Sequence, residues 1–359
     1  MKLLMTADAV GGVWQYAAEL AHALTAYEVE TVVAVFGPPP NDDQRRLMAA
    51  IQVVETGLPL DWLAEGPDSV RAAAVRLANL ASEIDADLIQ LNSPGLAGAA
   101  RFPCPIVAVA HGCVGTWWDA AETTPLPGAL AWQVAMTREG LAAANIVVAP
   151  SAAFAAILQR VYGLRRKPIA VHNGRTPVST APSTMADHVF TAGRLWDRVK
   201  NTALLDAVAA RLPVPLRAAG PVSAPHGETV ASRHLTLLGT IASADLAAEL
   251  AQRPIFVSAA SFEPFGLAVL EAAQAECALV LSDIATFREL WDGAALFVTD
   301  TSPDSWATAI KALRAEPERR ARLGQLAAER AMRYTPAATA AAMIAIYAGL
   351  LRQRPRIAA

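Results

Sequence analysis

The chain has 359 residues, enough for two domains that each bury a core, and it is 54% apolar and 18% charged, a balance that excludes intrinsic disorder. A formal net charge of -3 supplies no general basic field, which argues against nucleic acid as the main partner while leaving local basic patches open. Cys104, Cys113 and Cys277 lack the spacing of a zinc site or a disulfide framework and read as small hydrophobes in a reducing compartment.

Residues 2–5 are a short apolar run, followed by the loop 6–12 and an amphipathic pattern over 13–24. Strand, glycine-bearing loop and helix in that order is the common opening of an α/β domain. Gly11-Gly12 permits backbone to approach a phosphate, but it forms neither a dinucleotide fingerprint nor a Walker loop, and alone it reads first as a tight turn. The chain opens on this strand pattern without the charged, apolar and small-residue segments of an export signal, so a cytoplasmic protein is expected, with peripheral contact at the inner membrane face left open.

Strand patterns follow at 30–36, near 51–55 and at 87–91, with a long helix over 69–84. Asp85-Ala86-Asp87 sits where that helix gives way to a strand; it reads as a turn, and no metal is assigned to it. Residues 105–110 form an apolar strand buried on both faces that ends at His111, on the rim where α/β proteins bind ligands. The stretch 113–127, with Trp117 and Trp118, has no clear period and is expected to be a loop shaping a substrate site. A helix over 129–144, a strand at 146–149, a helix over 152–162 capped by Ser151, and a strand at 169–171 complete this half. Arg165, Arg166 and Lys167 are expected in a solvated loop. Asn173-Gly174 accommodates positive φ and marks a sharp redirection, and the Pro, Ser and Thr-rich stretch 175–186 has no apolar period, so the domain boundary falls here.

The second half restarts the same pattern: a strand at 188–192, a loop at 193–200 and a helix over 201–210. Arg194 and Lys200, on that loop, can converge on a phosphate, one as a planar fork and the other as a point charge; exposed surface cations are the plain alternative. Further strands fall at 216–219, 235–238, 255–258, 279–281 and 295–298, with helices between them and helices over 305–315, 317–332 and 336–351. The apolar face of the last helix has to be buried, and either domain can receive it. The strand 255–258 leads into SFEPFGLAVLEAA, residues 261–273, where Phe265, Gly266 and Leu267 put bare backbone N–H groups and a helix N-terminus at one spot, flanked by Glu263 and Glu271.

The order of these features resembles the family 4 retaining glycosyltransferases. TADAVGGVW, AVAHG, IAVHNG, AGRLWDRVKN, FVSAASFEPFGLAVLEA and SDIATFRELWDGAALF carry the resemblance over most of the chain. The seven-residue gap between Glu263 and Glu271, downstream of Arg194 and Lys200, is its most specific element. The resemblance implies the GT-B fold, two Rossmann-like parallel-sheet domains facing across an interdomain cleft. It places an acceptor-side domain at 1–174, a nucleotide-sugar domain at 175–335, and a C-terminal helix and tail at 336–359 that can return to the first domain.

The same resemblance implies transfer of a hexose from a UDP- or GDP-linked donor, with no essential metal and no cofactor, to an unidentified acceptor. Arg194 and Lys200 would neutralise the diphosphate. Glu271 would accept from ribose hydroxyls, Glu263 would bind hydroxyls of the transferred sugar, and the Phe265-Gly266-Leu267 backbone would complete the cradle. His111 would lie over the sugar, with Gly11 and Gly12 beside the phosphates. Retention implies front-side substitution in which the leaving phosphate takes the acceptor's proton, unlike the paired-carboxylate hydrolases. A nucleotide-sugar epimerase or hydrolase on a similar fold, and a non-catalytic nucleotide-sugar-binding homologue, are the competing readings.

Overall fold

The computed structural model describes residues 1–177, 184–225 and 227–352. Within the boundary stretch, 178–183 lie outside the described residues, as do 353–359 of the expected tail. The chain divides into two compact units, one formed by Met1–Arg175 with the chain from Thr335 onward, the other by Thr176–Tyr334.

In the first unit the elements run β1 (Lys2–Asp8), α1 (Gly12–Leu24), β2 (Glu30–Phe36), α2 (Asp42–Leu47), β3 (Gln52–Leu58), α3 (Pro67–Glu83) and β4 (Leu88–Leu91). They continue with β5 (Ile106–Val109), α4 (Val114–Ala121), α5 (Ala131–Ala143), β6 (Ile146–Ala149), α6 (Ala152–Tyr162) and β7 (Ile169–Ala170). The second unit comprises β8 (Val189–Ala192), α7 (Thr202–Ala209), β9 (Leu216–Ala219), β10 (Thr236–Gly239), α8 (Ser243–Ala251) and β11 (Ile255–Ser258). It ends with α9 (Leu267–Gln274), β12 (Ala278–Ser282), α10 (Ala285–Trp291), β13 (Leu296–Val298), α11 (Pro303–Ala315) and α12 (Pro317–Ala331). The chain then returns to the first unit as α13 (Pro336–Arg352).

Both sheets are parallel, with strand orders β3-β2-β1-β4-β5-β6-β7 and β10-β9-β8-β11-β12-β13. Side chains alternate between faces along each strand, and both faces are covered: Leu3 and Met5 of β1 join the core beneath α1, whereas Leu4 joins the core beneath α3. That is why strands such as β5 and β6 read as unbroken apolar runs. Each order reverses direction once, beside β1 and β4 in the first sheet and beside β8 and β11 in the second. At such a reversal the two following loops part in opposite directions and leave space at the carboxyl ends.

The last helix completes the first unit's core. Ala340, Met343, Tyr347 and Leu350 form a helical stripe buried with Trp14, Ala17 and Leu20 of α1. Thr339 Oγ1 donates to the His172 carbonyl at 2.8 Å, which ties the outgoing and returning chain together, and the buried Arg175 donates to Glu19 of α1 at 2.7 Å.

Two local expectations are corrected, and one helix is added. Asn173 and Gly174 do not adopt positive φ. The glycine is required instead by close approach, since a Cβ there would lie 2.1 Å from the Thr335 carbonyl carbon. The stretch after His111 is not a loop throughout, because Val114–Ala121 is helical. Its start is held by the Thr116 hydroxyl accepting from Cys113 N–H, and its Gly115 packs against Tyr162. The segment between β2 and β3 also holds a helix, α2, closed by a reciprocal capping box between Asn41 and Gln44. By contrast Asp85 stands in a left-handed turn and Asp87 accepts from Lys2 N–H at 2.8 Å, as expected of a turn.

Gly174→Ala should lower folding stability by about 2–3 kcal/mol, because backbone rather than a flexible side chain occupies the space. Thermal unfolding followed by circular dichroism checks this; an unchanged midpoint would show that the Thr335–Pro336 segment yields freely.

Candidate functional site

The second unit gathers its candidate residues at the reversal of strand order. Arg194 and Lys200 lie in the segment after β8, and Glu263, Phe265 and Gly266 in the segment after the neighbouring β11. Two backbone-anchored bonds lash these loops together: Ser261 N–H donates to the Val199 carbonyl at 2.9 Å, and Asn201 Nδ2 donates to the Ala259 carbonyl at 2.7 Å. Across the gap the Lys200 ammonium forms an ion pair with the Glu263 carboxylate, their side chains 21% and 16% exposed. Partial burial makes the pairing strong enough to hold both groups in place, while an ammonium keeps two further donors for another anion.

Arg194 is held less tightly. Its Nη2 donates to Asp197 Oδ2 at 2.8 Å, and its guanidinium stacks on Trp196 at 5.4 Å from the ring centroid. Asp197 is buried and its side chain also accepts from Val199 N–H, so this acid shapes the loop that carries both cations. Its signal in the sequence is a helix-capping residue type immediately before Arg198 and Val199, where a short helical turn begins.

The cradle expected around Gly266 is built on left-handed backbone, φ 94° and ψ 66°, at the cap of α9. A Cβ there would press on Phe287, Glu263 and Val269 at 3.2–3.4 Å, so glycine is suited by both conformation and space. The Phe265 side chain is buried edge-on against Tyr334, ring centroids 5.7 Å apart. Leu267 is the first residue of α9 and Glu271 stands one turn further on, both half-buried.

In the first unit, Gly11 and Gly12 follow β1 and open α1. Neither has positive φ, and Gly11 is extended, so the tight turn that the pair first suggests is not what requires them. Gly12 is exposed at the helix start, where the missing side chain leaves backbone N–H groups uncovered. His111 follows β5, half-buried, with Tyr16 edge-on to its ring at 4.5 Å and its Nε2 3.0 Å from Asn92 Oδ1. Burial lowers its pKa from the ordinary 6.5 to about 4.

Asn92 was not singled out in the sequence. Its signal is Gln90 and Asn92 standing two apart at the end of β4, polar residues on one face of a strand that is otherwise apolar. Nearby, burial raises Asp61 to about 6 and raises the Cys113 thiol, whose Sγ lies 2.9 Å from Tyr162 Oη. Trp117 and Trp118 are half-buried on α4, and Trp118 Nε1 donates to the Thr124 carbonyl.

Set beside known proteins, residues 10–177 match the family model described as Glycosyltransferase Family 4, and residues 226–330 match that of Glycosyl transferases group 1. A curated relative, the D-inositol 3-phosphate glycosyltransferase of Kineococcus radiotolerans, is 32% identical over 124 residues, 32% of this chain and 28% of that protein's length. Among solved structures, a sucrose-phosphate synthase from Thermosynechococcus elongatus superposes with a TM-score of 0.79 at 18% identity, covering 99% of this chain and 100% of the other. The Anabaena protein HepE in complex with UDP-glucose gives 0.76 at 18% identity, covering 98% and 100%.

The depressed imidazole has a definite sign. The unfolded chain binds the proton more tightly than the folded one, so this contribution to stability is complete above about pH 6.5 and is lost as pH falls toward about 4. The His111 ring resonances should therefore stay flat from pH 8 down to about 5.5 in an NMR titration; a midpoint near 6.5 would refute the burial assigned to it.

Proposed function

The chain belongs to glycosyltransferase family 4, with the GT-B fold, and on that premise we propose that it transfers a hexose from a UDP- or GDP-linked donor to a sugar, lipid or other small-molecule acceptor, with retention at the anomeric carbon. The observation that carries this reading is the pairing of Lys200 with Glu263 at the strand-order reversal of the second unit, beside Arg194 and the Gly266 cradle. Cations and a hydroxyl-binding acid on adjoining loops suit a ligand that joins a phosphate to a polyol.

In the reaction, the bond between the anomeric carbon and the phosphate oxygen breaks while the acceptor oxygen bonds to the same face of that carbon. The acceptor's proton passes to the departing phosphate oxygen, so no enzyme base is needed. Charge grows on the diphosphate as the bond breaks, and Lys200 and Arg194 stabilise it. Lys200 can do so without releasing Glu263, because an ammonium has three donors. Glu263 then holds sugar hydroxyls at a fixed distance from the phosphate-binding cation. Glu271 takes the ribose hydroxyls, the Phe265–Leu267 backbone closes the cradle, and Gly11 and Gly12 admit backbone N–H groups to phosphate oxygens. His111 binds a sugar hydroxyl. UDP-glucose is the first donor to examine, because HepE, of similar fold, is known in complex with it. The catalytic site is read as working in the cytoplasm.

Lys200→Ala should reduce kcat/KM for the donor by about 100-fold or more, Glu271→Ala should raise the donor KM by about tenfold or more, and His111→Ala should depress kcat, each with an unchanged circular-dichroism spectrum. Thermal stabilisation by UDP-glucose, GDP-mannose and the free diphosphates identifies the donor, and release of nucleoside diphosphate is then followed with and without candidate acceptors. Wild-type rates in all three variants would overturn the site. Fast nucleotide release in the absence of any acceptor would replace transfer with hydrolysis or elimination.

A further inference from the structure

We propose that Asn92 is a positioning residue that holds His111 as the Nε2-protonated neutral tautomer, so that Nδ1 is presented as a hydrogen-bond acceptor for a hydroxyl of the ligand. The inference rests on the reading above that His111 binds a sugar, and it specifies what His111 can take: a hydroxyl donor, and not a phosphate oxygen, which only accepts.

Donors and acceptors alone fix the tautomer. Asn92 Nδ2 donates to the Thr6 carbonyl at 2.6 Å, and a carbonyl can only accept, so the orientation of the Asn92 amide is determined. Asn92 Oδ1 is therefore the atom 3.0 Å from His111 Nε2, and that nitrogen has to carry the proton. A second set of contacts agrees. Tyr347, arriving on α13, donates to Gln90 Oε1, which turns Gln90 Nε2 toward Asn92 Oδ1 at 3.3 Å and Tyr16 Oη at 3.4 Å. Asn92 N–H meanwhile donates to Thr6 Oγ1 at 2.8 Å, fixing the Asn92 backbone to β1.

Gln90 and Asn92 are buried, and the network spans β1, β4, the end of β5, α1 and α13. Polar groups buried between strands are costly unless each finds a partner, so the network has one consistent direction. A neutral imidazole has a single N–H. With it spent on Asn92, Nδ1 is left with a lone pair, and among the described residues no protein donor meets it. The groups against the ring are Asn92, which is uncharged, and Tyr16 from α1, whose phenol burial keeps protonated; burial alone depresses the imidazole, with no carboxylate or cation opposing it.

The test uses the full-length protein labelled with ¹⁵N-histidine. Long-range ¹H–¹⁵N spectra of the wild type should show His111 protonated at Nε2 and bare at Nδ1; a wild-type Nδ1–H tautomer overturns the proposal without any variant. Asn92→Asp puts a carboxylate on Nε2 and should raise the His111 pKa by about two units, turning Nδ1 into a donor. The acid limb of the kcat/KM profile should move up with it. Asn92→Leu removes the acceptor and should lower kcat/KM by about 10- to 100-fold with no such limb. Loss of activity in both variants only in proportion to lost folded protein, with the pH profile unmoved, would reduce Asn92 to a structural residue. A wild-type rate for His111→Ala would instead defeat the reading of His111 itself and leave the tautomer assignment standing.

Discussion

The contact between Lys200 and Glu263 depends on the parallel sheet of the second unit, and the proposed donor chemistry depends on that contact. The two residues are far apart in the chain and meet because β8 and β11 are neighbours whose following segments part at the reversal of strand order. Neither loop would hold its charge in place alone. The hydrogen bonds from Ser261 N–H to Val199 and from the Asn201 side chain to Ala259 make the two loops one edge, and the ion pair then sets the distance between the cation proposed to bind phosphate and the acid proposed to bind hydroxyls. In the proposed reaction a diphosphate adds to this arrangement without dismantling it, since the ammonium has donors to spare.

The first unit achieves the same end with uncharged groups. Its sheet is covered by helices on both faces, so polar side chains at the ends of β1 and β4 must satisfy one another. The outcome is a directed set of hydrogen bonds from Tyr347 through Gln90 to Asn92, with His111 at its open end. The returning helix α13 thus serves two purposes: its apolar stripe completes the core over α1, and its one phenol orients an amide deep in the sheet. Burial keeps His111 uncharged, which suits the hydroxyl-binding role proposed for it.

Much of the architecture was legible because both sheets are buried on two faces. Continuous apolar strands such as 106–109 and 146–149 stand out against their flanks, and helices such as α1, α3 and α6 carry a clear 3.6-residue period. Helix α4 was hidden because it occupies only eight residues of the stretch 113–127, which as a whole has no clear period, and its Gly115 packs on Tyr162. The glycine at 174 was visible as a special position for the wrong reason: a dipeptide suggests a turn, whereas the returning chain at Thr335 is what leaves no room for a side chain. Gly11 and Gly12 are the converse case, suggestive of a turn yet sitting in backbone that other residues can adopt.

The sequence by itself determined the repeated β-α grammar, the two-domain division and the residue types at the strand ends, because periodicity and the identity of Arg194, Lys200, Glu263, Glu271 and His111 are local properties of the chain. Which of these groups meet is not local. Strand order brings Lys200 to Glu263, and only the folded sheet places Asn92 beside His111 and Tyr347 behind Gln90. The physical reason is that a hydrogen bond or ion pair depends on distances of a few ångströms between groups separated by tens or hundreds of residues. Those distances are set by how buried strands pack side by side, and no stretch of sequence contains them.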